Sequence, residues 1–260
     1  KQQEHPLYHA RQIAAKRLKK QQGILLLESP FPSLESKYLA NKNEYKEFDF
    51  SDQESKINAE IIDMKKEIEK GNIGDLSFEL KSQIEDHLRE NKKILLFLNR
   101  RGSANYLICR KCGHVIKCDN CDISLNYHQH DELLFCHHCG FKRELPDKCP
   151  ECGSSFVSTA GIGTENLISQ LKENFKEAVI ARVDSDQQKD KVDQLLNDFN
   201  DNKIDILIGT SLIIKNNFYE NLNLLAVISA DTALNSSDFR SAENNFVLLK
   251  ELKSLLKNET

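Results

Sequence analysis

The residues best suited to chemistry in this 260-residue chain are its eight cysteines, which form four pairs with two residues inside each pair. A two-residue gap lets both thiolates reach one metal ion from a tight turn, and a structural zinc ion takes four such ligands in a tetrahedron. The sequence therefore predicts two closed zinc sites that leave no ligand position for water. The pairs are Cys109/Cys112, Cys118/Cys121, Cys136/Cys139 and Cys149/Cys152.

The four pairs can share two ions in three ways, and the lengths of the loops between them rank these ways. Residues 122–135 separate the second pair from the third, which is about the span of a small hairpin. Because a short loop closes at a small entropic cost, we expect the two inner pairs to share one ion. The outer pairs, Cys109/Cys112 and Cys149/Cys152, would then hold the other ion.

A disulfide framework is the alternative, since an even number of cysteines also suits a secreted scaffold. No signal-like segment opens the chain, however, and glycines follow three of the four pairs, which favours metal turns. The favoured interpretation is a zinc protein in a reducing, cytoplasmic setting. Five histidines share the stretch, and with eight thiolates available we expect them at the surface or beside the ligands: His114, His128, His130, His137 and His138.

Composition limits the possible functions. The hydrophobic content of 39% is ordinary for a globular protein, and no apolar run approaches the roughly 20 residues that span a membrane. The net charge of −4 gives no overall attraction to nucleic acid, so any DNA contact must be local. Residue 1 is lysine rather than methionine, which leads us to expect a segment of a longer protein.

Periodicity predicts an α/β fold. The apolar run 93–99 has the length of a buried parallel strand, and strands and helices alternate after the cysteines up to a final helix over 238–256. The pattern predicts one open parallel sheet covered on both faces, with the cysteine stretch inserted after one strand. Further predictions are buried or short strands at 24–27, 60–64 and 156–160, and a helix over 34–40 capped by Ser33.

Three basic residues are predicted to contact DNA phosphates. Arg100 and Arg101 directly follow the buried strand, at the carboxyl edge where open α/β sheets bind ligands. Lys215 is expected at the same edge, and arginine forks match phosphate oxygens in pairs. The alternative for the arginines is an exposed pair at a turn.

Several stretches resemble, in order, the PriA (primosomal protein N′) family of replication-restart DNA helicases. They are YHARQIA, PSLES, LFLNRRGSANYLICRKCGHVIKCDNCDISLNYHQHDELLFCHHCGF, DKCPECGS, GIGTENLISQL, DILIGT and ADTALNSSDFRSAE. The resemblance implies the end of a first helicase lobe at 1–45, a second RecA-like lobe at 46–108 and 153–260, and a zinc-binding insertion at 109–152. It also implies two zinc ions, with the inner pairs on one and the outer pairs on the other.

The resemblance further implies ATP as a cofactor between two lobes. Implied partners are forked or single-stranded DNA, primosome proteins and single-stranded DNA-binding protein. The chain departs from the family at the motifs that would bind and hydrolyse ATP. It contains neither the phosphate-binding loop nor the acidic magnesium motif, and Leu255 stands at the arginine-finger position. We therefore expect a PriA-like protein of replication restart without ATPase activity in this chain. The alternative is an ATP-dependent 3′-to-5′ DNA helicase whose nucleotide-binding lobe lies outside this segment.

Overall fold

The computed structural model divides the chain into two compact units, Lys1–Glu54 and Ser55–Thr260. It describes residues 9–50, 59–72, 74–99, 106–128, 132–155, 157–159, 164–184, 187–214, 219, 221–235 and 238–256. The helices are α1 (Ala10–Lys20), α2 (Leu34–Asn41), α3 (Met64–Glu69), α4 (Phe78–Arg89), α5 (Thr164–Asn174), α6 (Lys189–Asn200) and α7 (Ser241–Leu255). No helix in the described part of the chain is both long and apolar enough to cross a bilayer.

The first unit is built on α1 and α2. The predicted cap of α2 is confirmed, because the Ser33 side chain accepts a hydrogen bond from the Ser36 amide. Arg11 of α1 donates to the hydroxyls of Ser33 and Ser36 at 2.6 and 2.7 Å, which ties the two helices together. The predicted buried strand at 24–27 is wrong: Ile24 is 93% exposed, and residues 9–50 contain no strand with which it could pair.

The second unit contains the predicted parallel sheet. The strands are β1 (Lys93–Leu98), β2 (Leu107–Cys109), β3 (Asn126–His128), β4 (Leu133–Phe135), β5 (Lys142–Glu144), β6 (Val157–Thr159), β7 (Ile180–Val183), β8 (Ile206–Gly209) and β9 (Leu222–Ile228). Among the described residues, four of them form a parallel sheet in the order β7, β8, β1, β9. The alternating α/β pattern therefore gave the correct fold class.

Both faces of this sheet are covered, as predicted. Alternate side chains of a strand point to opposite faces, so the fully buried β1 contributes to two cores. Leu95 and Phe97 pack with apolar residues of α6 and α7, whereas Ile94, Leu96 and Leu98 pack with those of α4 and α5. The strand is rigidly placed as a result, and the chain that leaves its carboxyl end begins from a fixed point.

Two short strands predicted from apolar residues differ from the structure. The strand predicted at 60–64 is wrong: residues 59–63 form no strand, and the Asp63 carboxylate accepts from the Lys65 amide and starts α3 at Met64. The capping carboxylate decides this boundary, because helix starts favour such acceptors. The strand predicted at 156–160 exists as β6, but it pairs antiparallel with β2 and does not join the parallel sheet.

Candidate metal centres

One pair of strands joins the cysteine stretch to the parallel-sheet part of the second unit. Strand β2, which ends at Cys109, pairs antiparallel with β6, so the start and the end of the insertion lie side by side. Between them, β3, β4 and β5 form a small antiparallel sheet. Leu107, Ile116, Leu125 and Leu134 build a small buried core with Cys118 and Cys136. Such a core is modest for its length, and a bound metal would add the stability that it lacks.

All four cysteine pairs adopt one backbone turn. In each turn the amide four residues after the first cysteine donates to the carbonyl of that cysteine, at 2.8 to 3.0 Å. The first cysteine's own amide donates to the carbonyl five residues on, at 2.7 to 2.8 Å. The residue four positions after the first cysteine has positive φ, which suits glycine. These residues are Gly113, Gly140 and Gly153, with Asp122 in the remaining turn.

The structure brings together the cysteines of the outer pairs. Cys109 Sγ lies 3.6 Å from Cys152 Sγ, and Cys112 Sγ lies 3.6 Å from Cys149 Sγ. All four sulfurs lie within 4.8 Å of one another. Sulfurs bound at about 2.3 Å in a zinc tetrahedron would be about 3.8 Å apart, whereas disulfide sulfurs lie about 2.05 Å apart. The spacing fits a tetrahedral ion and excludes disulfides in this arrangement.

The inner pairs form the second group, as the loop-length argument predicts. Cys118 Sγ lies 3.6 Å from Cys139 Sγ, and the sulfurs of Cys118, Cys121, Cys136 and Cys139 lie within 4.8 Å of one another. The first cysteine of each pair is buried and the second is more exposed, in both groups. Each group thus offers four sulfurs around one point, half of them shielded from water.

Side chains beside the inner group contact its sulfurs without replacing them. His138 Nδ1 lies 3.3 Å from Cys121 Sγ, and the Asn120 amide nitrogen lies 3.9 Å from Cys139 Sγ. A neutral imidazole with its proton on Nδ1 donates to a thiolate, which orients the ligand and stabilises its charge. His138 therefore fits the role expected for these histidines, beside the ligands.

The thiols of each group differ in acidity. The Phe141 amide, which hydrogen-bonds to the sulfur, lowers the pKa of Cys139 to about 6. Interaction with the Cys139 sulfur, together with burial, raises the pKa of Cys121 to about 12. Metal-free, the inner group would be only partly ionised at neutral pH, because a thiolate disfavours a second one beside it. A cation removes this conflict and releases the remaining protons.

The outer group shows the same division. Burial raises the pKa of Cys149, but the amides of Cys152 and Glu151 outweigh it and bring the pKa down to about 7. The His114 amide lowers the pKa of Cys112, but burial and the neighbouring thiols outweigh that effect and raise the pKa to about 12. Both groups therefore have the chemistry of a site that takes up a cation in exchange for protons.

The first turn also contacts the parallel-sheet part of its own unit. Arg110, inside that turn, lies 3.5 Å from the Asp75 carboxylate, which also accepts from Gln170 of α5 at 3.0 Å. Lys65 of α3 lies against Gly113, where an added Cβ would come within 2.4 Å of the lysine Cε. Sequence reasoning missed these contacts, because residues so distant along the chain carry no local pattern that would join them.

The predicted DNA contacts Arg100, Arg101 and Lys215 all lie outside the described residues. Leu255, at the predicted finger position, is the last residue of α7 and packs against the core that contains Leu95 and Phe97. Its side chain is thus part of the hydrophobic packing of the sheet.

Comparison with known proteins adds independent findings. Residues 118–143, which contain the whole inner group, match the family model described as the PriA DNA helicase Cys-rich region (CRR) domain. The chain is 37% identical over 257 residues to the replication restart protein PriA of Bacillus subtilis, covering 97% of this chain and 32% of that protein. It is 38% identical over 249 residues to PriA of Haemophilus influenzae, covering 94% and 34%.

A third relative shows the same extent. The replication restart protein PriA of Borreliella burgdorferi is 36% identical over 250 residues, covering 95% of this chain and 37% of that protein. The chain spans about a third of the length of the curated relatives that it matches. The similarity includes the parallel sheet as well as the cysteine stretch, and the resemblance predicted from the motifs is confirmed. The chain is a PriA-like sequence, related along nearly all of its length to about a third of the replication restart protein PriA.

Proposed function

We propose that each four-cysteine group holds one zinc ion. The outer ion would be bound by Cys109, Cys112, Cys149 and Cys152, and the inner ion by Cys118, Cys121, Cys136 and Cys139. The sulfur spacings and the four repeated turns support this assignment. Four thiolates close the coordination sphere, so each ion would crosslink the chain and would not activate water. Thiolate ligands require a reducing compartment, which leads us to propose the cytoplasm.

For the molecule as a whole, we propose a binding and scaffold role in replication restart, on forked or single-stranded DNA. Similarity to PriA over nearly the whole chain carries this proposal, since those relatives are named for replication restart. Primosome proteins and single-stranded DNA-binding protein are the proposed partners. Arg100, Arg101 and Lys215 are the proposed phosphate contacts.

The scaffold role requires that the chain does not hydrolyse ATP. No phosphate-binding loop stands in the sequence, and Leu255 packs into the core at the finger position. An arginine finger is worth about a thousandfold or more in rate, and a missing phosphate loop removes nucleotide binding itself. ATP hydrolysis by the purified chain, with and without forked DNA, should stay at the protein-free background. Leu255→Arg should stay there too, because a finger without a nucleotide cradle has nothing to act on.

The control for this assay is far-UV circular dichroism of the parent and of Leu255→Arg, which shows that the helices and the sheet of each sample are folded. Turnover above background in the parent chain would overturn the scaffold role.

A second candidate is an ATP-dependent 3′-to-5′ DNA helicase whose nucleotide-binding lobe lies outside this segment. The observation in its favour is that the matched family model is described as a DNA helicase region, and that the relatives are about three times as long as the matched part. Under this candidate, ATP binds only when a lobe that carries a phosphate loop is present. Sequencing of the flanking coding region for such a loop distinguishes the two candidates.

A further inference from the structure

Two histidines of the cysteine stretch face each other outside both sulfur groups. His128 is the last residue of β3, and His137 lies between Cys136 and Cys139 in the third turn. Their Nε2 atoms are 3.3 Å apart, and their ring centroids are 5.1 Å apart. His138, the next residue along, instead faces the Cys121 sulfur, so the two neighbouring histidines have different surroundings.

The two imidazole rings are held in place by one aromatic side chain. Phe135 of β4 makes an edge contact with His128 at 5.5 Å and with His137 at 5.4 Å between ring centroids. The pairing of β3 with β4 fixes the backbone of His128, and the third turn fixes that of His137. The pair is therefore preorganised, and little conformational freedom remains to be lost when a ligand binds.

The separation of the two nitrogens distinguishes two possible roles. A hydrogen bond between neutral imidazoles would favour a shorter distance, since N–H donors lie about 2.9–3.0 Å from their acceptors. Two imidazoles bound to one zinc-sized ion at about 2.0–2.1 Å and at a tetrahedral angle have nitrogens about 3.3–3.4 Å apart. The observed 3.3 Å matches the second value.

We propose that His128 and His137 form a third, open metal site that binds one divalent cation of the imidazole-preferring class, such as Zn²⁺ or Ni²⁺, through their two Nε2 atoms. His137 is exposed and His128 is half-buried, so water can reach the other coordination positions. The Lys142 ammonium lies 5.5 Å from the Phe135 ring centroid, on the same small sheet, and its charge opposes a cation nearby. Two neutral ligands beside a lysine bind less tightly than four thiolates, so the ion exchanges while the sulfur groups stay loaded.

The test is a calorimetric titration of the chain, loaded with two equivalents of zinc, with Ni²⁺ as the probe. One additional equivalent should bind to the parent. His128→Gln and His137→Gln should each weaken that binding by about tenfold or more, a loss that removal of even an outer partner of a ligand can cause. The matched control is His87→Gln, because His87 is an imidazole of α4 that bonds to the Gln83 carbonyl at 2.7 Å. It should bind nickel as the parent does.

Zinc content is measured for each variant, so that loss of the fold is recognised. If a variant releases zinc, the proposal is tested on the parent by chemical modification with diethyl pyrocarbonate, which is detected by mass spectrometry. Bound nickel should protect His128 and His137 from modification but should not protect His87. The proposal is overturned if no additional nickel binds, which leaves a hydrogen-bonded imidazole pair only. It is equally overturned if nickel binding survives both substitutions or if modification is the same with and without nickel.

Discussion

Asp122 shows how one residue type can replace another when the backbone requires an unusual conformation. It has φ of 54°, in the position that glycine occupies in the other three cysteine turns. Aspartate is among the few residues other than glycine that visit this region readily, because its short polar side chain can hydrogen-bond locally. The repeated turn therefore depends on the spacing of the cysteines and on a residue that tolerates positive φ. Glycine is not obligatory four residues after the first cysteine.

Single cysteine replacements should remove the two metals separately. Cys118→Ser takes a ligand from the inner group and Cys149→Ser takes one from the outer group, and the groups share no residue. A serine hydroxyl is a poor replacement for a thiolate on zinc, so each variant should retain about one zinc ion where the parent holds about two. Elemental analysis of the gel-filtered proteins provides the measurement.

The two cysteine variants serve as controls for each other. Loss of both ions from either variant would show that the sites are coupled. A parent ratio near one, or disulfides under reducing conditions, would refute the two-site assignment.

Zinc affinity should rise with pH. Thiols such as Cys112 and Cys121, with pKa values of about 12, hold protons at neutral pH that a bound cation must displace. Lower pH increases this proton competition, so affinity falls as pH decreases. Chelator competition at pH 6 and pH 8 should therefore remove zinc more easily at pH 6. Equal affinity at the two values would contradict ligation by thiolates that are protonated before metal binds.

Among the elements, the start of α4 depends on a side chain from α3. Ser77 caps the helix conventionally, accepting from the Leu80 amide at 3.0 Å. The buried Glu67 carboxylate accepts from the Phe78 amide at 2.6 Å and from the Asn72 side chain at 3.0 Å. The Phe78 amide, followed by Asn72, lowers the pKa of Glu67 below its ordinary value. The negative charge also lies at the positive end of the α4 dipole.

Glu67→Gln should destabilise the second unit at neutral pH. The glutamine oxygen could still accept from Asn72 and from the Phe78 amide, but without the negative charge that strengthens both bonds. The glutamine NH₂ would take the place of Oε1 and face the Lys70 ammonium, and two donors cannot satisfy each other. Since the pKa of Glu67 is lowered in the folded state, its stabilisation is present above the unfolded pKa of about 4.3 and is lost as pH falls through the folded value. The difference in unfolding free energy between parent and variant, from urea titrations, should be present at pH 7 and shrink below pH 4.

The matched control is Glu69→Gln on the same helix, where the side chain is exposed. It should leave stability nearly unchanged. A Glu67→Gln variant as stable as the parent at pH 7 would show that the carboxylate is not needed to start α4.

Sequence reasoning succeeded where the pattern was local and physically constrained. The apolar run at 93–99 correctly predicted the buried parallel strand β1, and the loop of residues 122–135 correctly identified which cysteine pairs lie together. It failed at 24–27, because an apolar run indicates burial only if a sheet is available to receive it. Sequence reasoning missed the contact between His128 and His137, because spacing alone did not show that the end of β3 and the third cysteine turn would lie together.

For the whole molecule, charge determines how any DNA contact should respond to salt. Residues 109–152 carry six basic and seven acidic side chains, and two tetrathiolate zinc centres would bring that stretch to about −5. We therefore predict that phosphate contact comes from outside that stretch, through Arg100, Arg101 and Lys215. Three contacts imply that log affinity for a DNA fork falls with log salt at a slope of about −2 to −3, in a binding titration over salt concentrations.

The double variant Arg100→Ala with Arg101→Ala tests the location of that contact. It should weaken binding to every fork sequence alike and make the slope shallower, because phosphate contacts carry no base information. The matched controls are Lys142→Ala, Arg143→Ala and Lys148→Ala in the cysteine stretch. Each of them should bind DNA as the parent does. If one of these controls loses binding while the double variant keeps it, the cysteine stretch contacts DNA and the charge argument fails.

The paired strands at the base of the insertion have a mechanical consequence. Strand β2 lies against β6, and Cys109, at the end of β2, shares the outer sulfur group with Cys149 and Cys152. A force that pulls β1 and α5 apart would therefore act first on the hydrogen bonds between β2 and β6. It would act next on the outer metal ion, when one is bound. The inner group lies beyond that junction and would bear little of the load. In a single-molecule pulling experiment, the insertion should yield only after its base has opened, so removal of the outer ion would lower the rupture force far more than removal of the inner one.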